Sequence, residues 1–483
     1  MQRHMLLPLL LACATEPAPT VSPVAPTPPA PSARTVRVPA SLTDLAARAA
    51  DIDVVLISMD CLRYDRTGLA AGNEGRTPNL EALAASSVVF HDAMSPAAWT
   101  VPAHMAVFSG RWPTRHGLVN KLAPDPADPT KMVDARVSDD VPLWSETLMK
   151  AGWLGAAYTG DAGVSARFGY GRGFSAFVDD KKFGGMDHSG PPAVAWLQEN
   201  KDGRLFLFFH GYDVHGQAPL PADVSARSVM PGYAGPMDGS IEEQAKLREQ
   251  ALATIQKPGQ DPTLDGVVTA DDWAFLLAIY DKKAQIADAR MAQVVQTLKD
   301  TGVWDHAIVA LMSDHGEEFG EHGSIDHGYS LYQEQLHVPM MLHFPGQTER
   351  VDVRETVRTI DLFPTIFDAL GLPPVEGSDG ASLLPFLNGE ADPPGPLLAE
   401  TDYRLYAHLR AIRKGDLKLI LDLEDGTVQL FDLAKDPGEK TDLAKERARE
   451  ASELEQELRG HLLGWRTDAT AYLGRADTPI PVY

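Results

Sequence analysis

Between residues 50 and 345 the chain alternates two kinds of apolar pattern. Residues 52–60 (IDVVLISMD), 154–160 (LGAAYTG), 204–211 (RLFLFFHG), 306–314 (HAIVALMSD) and 338–344 (VPMMLHF) are short runs dominated by apolar residues. Such runs lack a polar face, which predicts strands buried on both sides. The segments between them have helical spacing. Leu80, Leu83 and Ala84 recur behind Thr77 and Pro78, residues 143–152 read as a helix stopped by Gly152, and 271–302 form a long amphipathic pattern ending at Gly302. Strands alternating with helices predict an α/β fold, with a large, mostly parallel central sheet covered by helices on both faces.

The rhythm breaks twice. Residues 216–270, with Pro, Gly and acidic residues, read as an insertion near the site, either a lid or substrate wall or a disordered loop. After about residue 400, short strands over 409–433 are punctuated by Lys414-Gly415 and Asp425-Gly426, and a charged amphipathic stretch follows over 441–465. This predicts an antiparallel meander and a helix. The chain thus divides into a main domain over 46–395 and a small C-terminal α+β subdomain over 396–475.

The start of the chain has another character. Arg3, the apolar run from Met5 to Ala12 and Cys13 have the layout of a lipoprotein-type signal, so 1–12 are expected to be removed and Cys13 lipidated. Residues 13–45 hold seven prolines between Pro17 and Pro31 and read as an extended tether. The expectation is an exported bacterial protein of the cell envelope or periplasm, touching the membrane only through the anchor on Cys13.

Charge narrows the partners. The formal net charge is −24, from 43 basic and 67 acidic residues, which opposes binding to nucleic acid. A small anionic ester substrate is compatible with this charge only where a local cation neutralises the site. The two cysteines, Cys13 and Cys61, cannot build a disulfide framework.

Ligands of open α/β sheets bind beyond the carboxyl ends of the strands. Asp60 ends one expected strand, His210 another with Asp213 and His215 just beyond, and Asp314 and His315 a third. Carboxylates and imidazoles gathered on one rim suit a divalent cation, Ca²⁺ or Mg²⁺ by the carboxylates, Mn²⁺ or Zn²⁺ if the histidines ligate. Thr100 comes to the same rim at the start of a short apolar helix containing Pro102, Met105, Val107 and Phe108 and closed by Gly110. By itself that helix makes Thr100 a cap. Next to a cation the same hydroxyl becomes a nucleophile.

These residues carry a resemblance. ISMDCLRYD, TPNLEALAASSVVFHDA, WTVPAHMAVFSGRWPTRHGL, FGYGRGF, LMSDHGEEFGEHG, DHGYSLYQEQLHVPMML and RAIRKGDLKLI with LFDLAKDPGEKTDLA occur in this order. Together they resemble the sulfatase family of the alkaline-phosphatase-like superfamily over most of 52–465. The resemblance implies metal ligands at Asp60, Thr100, Asp314 and His315. It implies catalytic or oxygen-binding roles for His215 and His327, and substrate contacts for Arg63, His210 and Asp213. Cys61 stands where many sulfatases have a second Asp and is expected to pack as a small side chain. Thr100 and His104 fill the slots of the Cys/Ser-x-Pro-x-Arg motif, whose Cys or Ser becomes formylglycine, so no formylglycine is expected here, and His104 is expected to serve catalysis by orienting Thr100 or shuttling a proton. The resemblance implies a metal-dependent hydrolase of sulfate-type esters acting through Thr100 and a covalent intermediate. Hydrolysis of phosphate mono- or diesters, phospho-head-group transfer, and an inert binding lipoprotein are the alternatives.

Overall fold

The structure, a computed structural model, describes residue 49 and residues 51–473 except 126, 256–259 and 405. The expected signal segment, the Cys13 anchor and the whole of the tether lie outside the described residues. Nine strands build the main sheet. They are β1 (Asp53–Met59), β2 (Val88–Met94), β3 (Leu154–Tyr158), β4 (Ala176–Val178), β5 (Leu205–Gly211), β6 (Ala307–Met312), β7 (His337–His343), β8 (Val351–Val353) and β9 (Val357–Arg358). The order across the sheet is β8–β2–β7–β6–β1–β5–β3–β4, with β9 also on β2. All neighbours are parallel except β7, which runs antiparallel to both β2 and β6.

Every residue of β1, β5 and β6 is buried, which explains their unbroken apolar runs. Alternate residues still feed different cores, because successive side chains leave a strand on opposite faces. Val54 and Leu56 join the core packed by the helices α2 (Thr100–Ser109), α3 (Trp144–Lys150) and α7 (Leu362–Ala369). Val55 and Ile57 join the core on the other face, with α1 (Pro78–Ala84), α4 (Met186–Asn200) and α6 (Ala270–Asp300). The mostly parallel sheet with helices on both faces is therefore as expected.

The C-terminal sheet is an antiparallel meander of β10 (Leu397–Thr401), β11 (Leu409–Lys414), β12 (Leu417–Asp422) and β13 (Val428–Asp432). Leu419, Leu421 and Leu430 pack against Ala106 and Trp112 of the main body and Leu454 and Leu458 of α8 (Ala448–Leu473). α8 starts later than the charge pattern predicts, after a run of turns.

Two elements are not marked by local pattern. β2 carries the polar His91 and Asp92 in an edge-side position, and α4 has Pro191 and Pro192 inside the helix, where proline is normally a breaker. The described residues of 216–270 are mostly turns and irregular chain. Their one helix of more than a single turn is α5 (Ile241–Leu252), whose cap residue Ser240 accepts a hydrogen bond from the Glu243 amide.

Candidate active site

The carboxyl ends of β1, β5 and β6 lie side by side, so the turns after them converge. Asp60 follows β1, Tyr212 to His215 follow β5, and Asp314 and His315 follow β6. α2 brings Thr100 to the same point. Trp99 occupies the cap position of α2, and Thr100 is the first helical residue with no capping hydrogen bond from a side chain. The cap role is therefore not used. Thr100 Oγ1 instead lies 3.3 Å from Asp60 Oδ2 and 3.2 Å from His315 Nε2.

The surroundings fix the tautomers. His315 Nδ1 lies 2.8 Å from the Gly316 carbonyl, to which it donates, leaving the Nε2 lone pair toward Thr100. His104, one helical turn beyond Thr100, lies with Nδ1 3.2 Å from the Thr100 carbonyl and accepts on Nε2 from the Ser58 hydroxyl at 2.8 Å. It thereby ties α2 to β1. Its Nδ1 is also 3.2 Å from Asp314 Oδ2.

Two buried carboxylates share this small space. Burial and the Asp314 charge push the Asp60 carboxyl well above its usual range. Burial acts on Asp314 too, but the His315 and His104 rings outweigh it and hold that carboxyl below the usual range. Burial lowers His315 to about 4, so its ring is neutral at neutral pH. Asp60 Oδ1 and Asp314 Oδ2 are buried and accept no well-formed hydrogen bond. Orphaned carboxyl oxygens of this kind are costly to bury, and a cation would satisfy both. Donor atoms of Asp60, Asp314 and His315 lie within 4.8 Å of one another. This donor set fits a divalent cation.

In front of Thr100 opens a cavity of about 650 Å³. His215 and His327 line it next to Thr100, their rings edge to face at 5.0 Å. His215 Nδ1 accepts from the Gln217 amide at 3.0 Å, so the neutral ring carries its proton on Nε2. Burial keeps that ring neutral, well below the usual imidazole range. Burial also disfavours charge on His327, but Glu317 and Asp326 outweigh it and hold the ring protonated, well above that range. Its Nδ1 is 3.0 Å from both Glu317 Oε1 and Asp326 Oδ1. The site thus pairs a neutral donor with a charged one beside the nucleophile candidate.

Other expected contacts lie elsewhere. His104, His210, Asp213 and Arg63 do not line the cavity. His210 is fully buried, edge-on to His104 and Tyr212. Asp213 accepts from the Met186 amide at the start of α4 and pairs with Arg290 of α6, so its charge is spent on the frame. Arg63 pairs with Asp65 and Glu321.

The sequence reading misses the cationic mouth. Lys121, Arg167, Lys182, Arg248 and Arg404 all line the cavity. They come from five separated segments with no shared spacing. Lys121 is the one with a nearby signal, since it follows the WTVPAHMAVFSGRWPTRHGL stretch. In a chain of charge −24 these five cations gather at one cavity, where they outnumber the lining carboxylates Asp134 and Asp326.

Comparison with known proteins follows the same lines. The profile of the family described as Sulfatase matches residues 52–372, and that described as N-sulphoglucosamine sulphohydrolase, C-terminal, matches 320–468. Arylsulfatase K of Rattus norvegicus is 31% identical over 286 residues, 55% of this chain and 50% of that protein. Delta 4,5-hexuronate-2-O-sulfatase of Bacteroides thetaiotaomicron is 29% identical over 184 residues, 36% of this chain and 38% of that protein. The alignments thus cover half or less of these curated relatives' length. Among solved structures, the phosphonate monoester hydrolase of Agrobacterium radiobacter superposes with a TM-score of 0.67 at 21% identity, covering 86% of this chain and 96% of that one.

Proposed function

The chain belongs to the sulfatase family, and on that premise we propose that it hydrolyses sulfate-type esters of small anionic molecules by a two-step displacement on Thr100. The observation that carries this reading is the Thr100 hydroxyl, set between Asp60 Oδ2 and His315 Nε2 at the base of the cationic cavity.

Asp60, Asp314, His315 and the Thr100 oxygen would hold a divalent cation. Such an ion neutralises the oxygens of the transferred group and makes a nearby hydroxyl more acidic. The protein's own groups do the rest. Thr100 Oγ1 attacks sulfur, the bond to the leaving oxygen breaks, and the hydroxyl proton passes to the Asp60 carboxylate, to which that hydroxyl already points. His327, protonated, donates to the leaving oxygen or a non-bridging one, and His215 Nε2 donates to another. Water then attacks the Thr100 ester, releasing the inorganic anion and restoring the hydroxyl. Lys121 and its cationic neighbours hold the substrate's remaining negative charge.

A second reading replaces sulfur by phosphorus, as an ester hydrolase or phospho-head-group transferase. The threonine itself favours it. A threonyl ester has no aldehyde hydrate through which to expel sulfate, so release depends on direct attack by water. We assign the exported, Cys13-anchored location on the pattern of residues 1–45.

The test is a panel of aryl sulfate, phosphate monoester, phosphodiester and phosphonate ester across divalent cations. Turnover of the sulfate ester is expected, with Thr100→Ala inactive but still binding the cation. Turnover of phosphorus esters alone selects the second reading, and full activity in Thr100→Ala overturns both.

A further inference from the structure

Directly after Asp60 the chain leaves β1 through Cys61, which has φ +60°. That left-handed conformation suits glycine and strains a residue with a side chain. The surroundings enforce it. The Cys61 amide donates to Asp314 Oδ1 at 3.2 Å, its carbonyl accepts from the Tyr280 hydroxyl at 2.6 Å, the Leu62 amide donates to Ser313 Oγ at 2.8 Å, and the Arg63 amide donates to the same Tyr280 oxygen at 2.8 Å. Strain held in place by four hydrogen bonds marks a side chain aimed for a purpose.

The side chain points into the donor cluster. Cys61 Sγ is 3.7 and 3.8 Å from the two His315 ring nitrogens and 3.8 Å from His327 Nδ1. The thiol lies within 4.8 Å of a His315 nitrogen in one group of close donors and of an Asp60 oxygen in another. Tetrahedral bonds of about 2.3 Å to sulfur and about 2.0–2.1 Å to nitrogen separate the two donors by about 3.6 Å. The Sγ to His315 Nε2 spacing of 3.8 Å is close to that. Asp60 Oδ1, buried and without a hydrogen-bond partner, is independent evidence that the cluster awaits a cation.

We propose that Cys61 is a metal ligand, and that its sulfur biases the active-site cluster toward thiophilic divalent cations such as Zn²⁺ or Co²⁺ over Ca²⁺ and Mg²⁺. Carboxylates alone favour hard cations, and a thiolate among imidazoles reverses that preference. On binding, the sulfur–cation bond replaces the S–H bond and the thiol proton leaves to solvent. The proposal rests on the cation site put forward under Proposed function.

The test uses the full chain, stripped with chelator and titrated with Co²⁺. A near-ultraviolet thiolate-to-cobalt charge-transfer band is expected in the wild type and in Cys13→Ser. The latter retains only one thiol, so its band belongs to Cys61 even if a Cys61 variant does not fold. Cys61→Ser should lose the band, keep the visible cobalt absorption, and favour Zn²⁺ over Ca²⁺ at least tenfold less than the wild type. Bound cobalt with no thiolate band in Cys13→Ser overturns the ligand role and leaves the cation site standing. No cobalt uptake overturns both.

Discussion

Gly163 offers a way to move the nucleophile without touching its chemistry. It lines the cavity, and a Cβ built on it would lie 2.8 Å from both Cβ and Cγ2 of Thr100. That is about 0.7 Å inside a comfortable carbon–carbon separation of about 3.5 Å. Gly163 is not among the positive-φ residues, so Gly163→Ala adds bulk with no backbone penalty of that kind. Either Thr100 or the 161–164 turn must give way. Overpacking of this size costs about 1–3 kcal/mol of stability, and a displacement approaching 1 Å costs up to about 10²-fold in rate. We expect kcat to fall by about 10–100-fold with KM little changed. Initial rates and the thermal midpoint are the readouts, with cation content as a control. Thr100→Ser removes one of the two clashing carbons, so the double variant should recover part of the loss relative to the two single changes. A folded, cation-loaded Gly163→Ala enzyme with wild-type kcat would refute the claim that the position of Thr100 sets the rate.

Other outcomes follow from the same geometry. Lys121 is half-buried at the cavity wall; burial lowers its ammonium to about 8, with Asp60 opposing and Arg167, Arg404 and Lys182 adding to the effect. Lys121→Gln should raise KM for anionic esters about tenfold, the value of one charged contact of about 1.4 kcal/mol. Wild-type KM should likewise rise as the pH passes about 8, where the ammonium loses its proton. Glu400 is fully buried, and burial raises its carboxyl from 4.5 to about 7 despite Arg410. The folded state therefore holds a proton that the unfolded chain releases, so this group's contribution falls as pH rises from 4.5 to about 7. Glu400→Gln should flatten the pH dependence of the unfolding free energy over that window, by up to on the order of 3 kcal/mol, and a parallel curve counts against the assignment. Cys13→Ser should move the expressed protein from the membrane to the soluble fraction, and unchanged membrane association contradicts the anchor.

The sequence reveals the frame of the site better than its lining. Asp60, Asp314, His315 and His215 are legible because each follows an unbroken apolar run, and parallel strands deliver their carboxyl ends to one edge. His104, His210 and Asp213 stand in the same stretches, yet the structure turns them into the body of the protein. Which way a polar residue faces after a strand depends on partners such as Ser58 and Arg290, far away in sequence. The cationic mouth is invisible for a related reason: five separated segments contribute one charge each. Cys61 reads locally as a small packed residue, and only its φ and the rings of His315 and His327 reveal where the thiol points.

The central claim is that Thr100 itself becomes esterified during turnover. Acid quench of the cation-loaded enzyme with its best substrate, followed by peptide mass spectrometry, tests this most directly. The account predicts an unmodified Thr100 in the resting enzyme, with no formylglycine. During turnover the peptide should gain the mass of one sulfo or phospho group, localised to Thr100 and absent from Thr100→Ala. Steady turnover with Thr100 unmodified at every quench time, and an active Thr100→Ala, would contradict it.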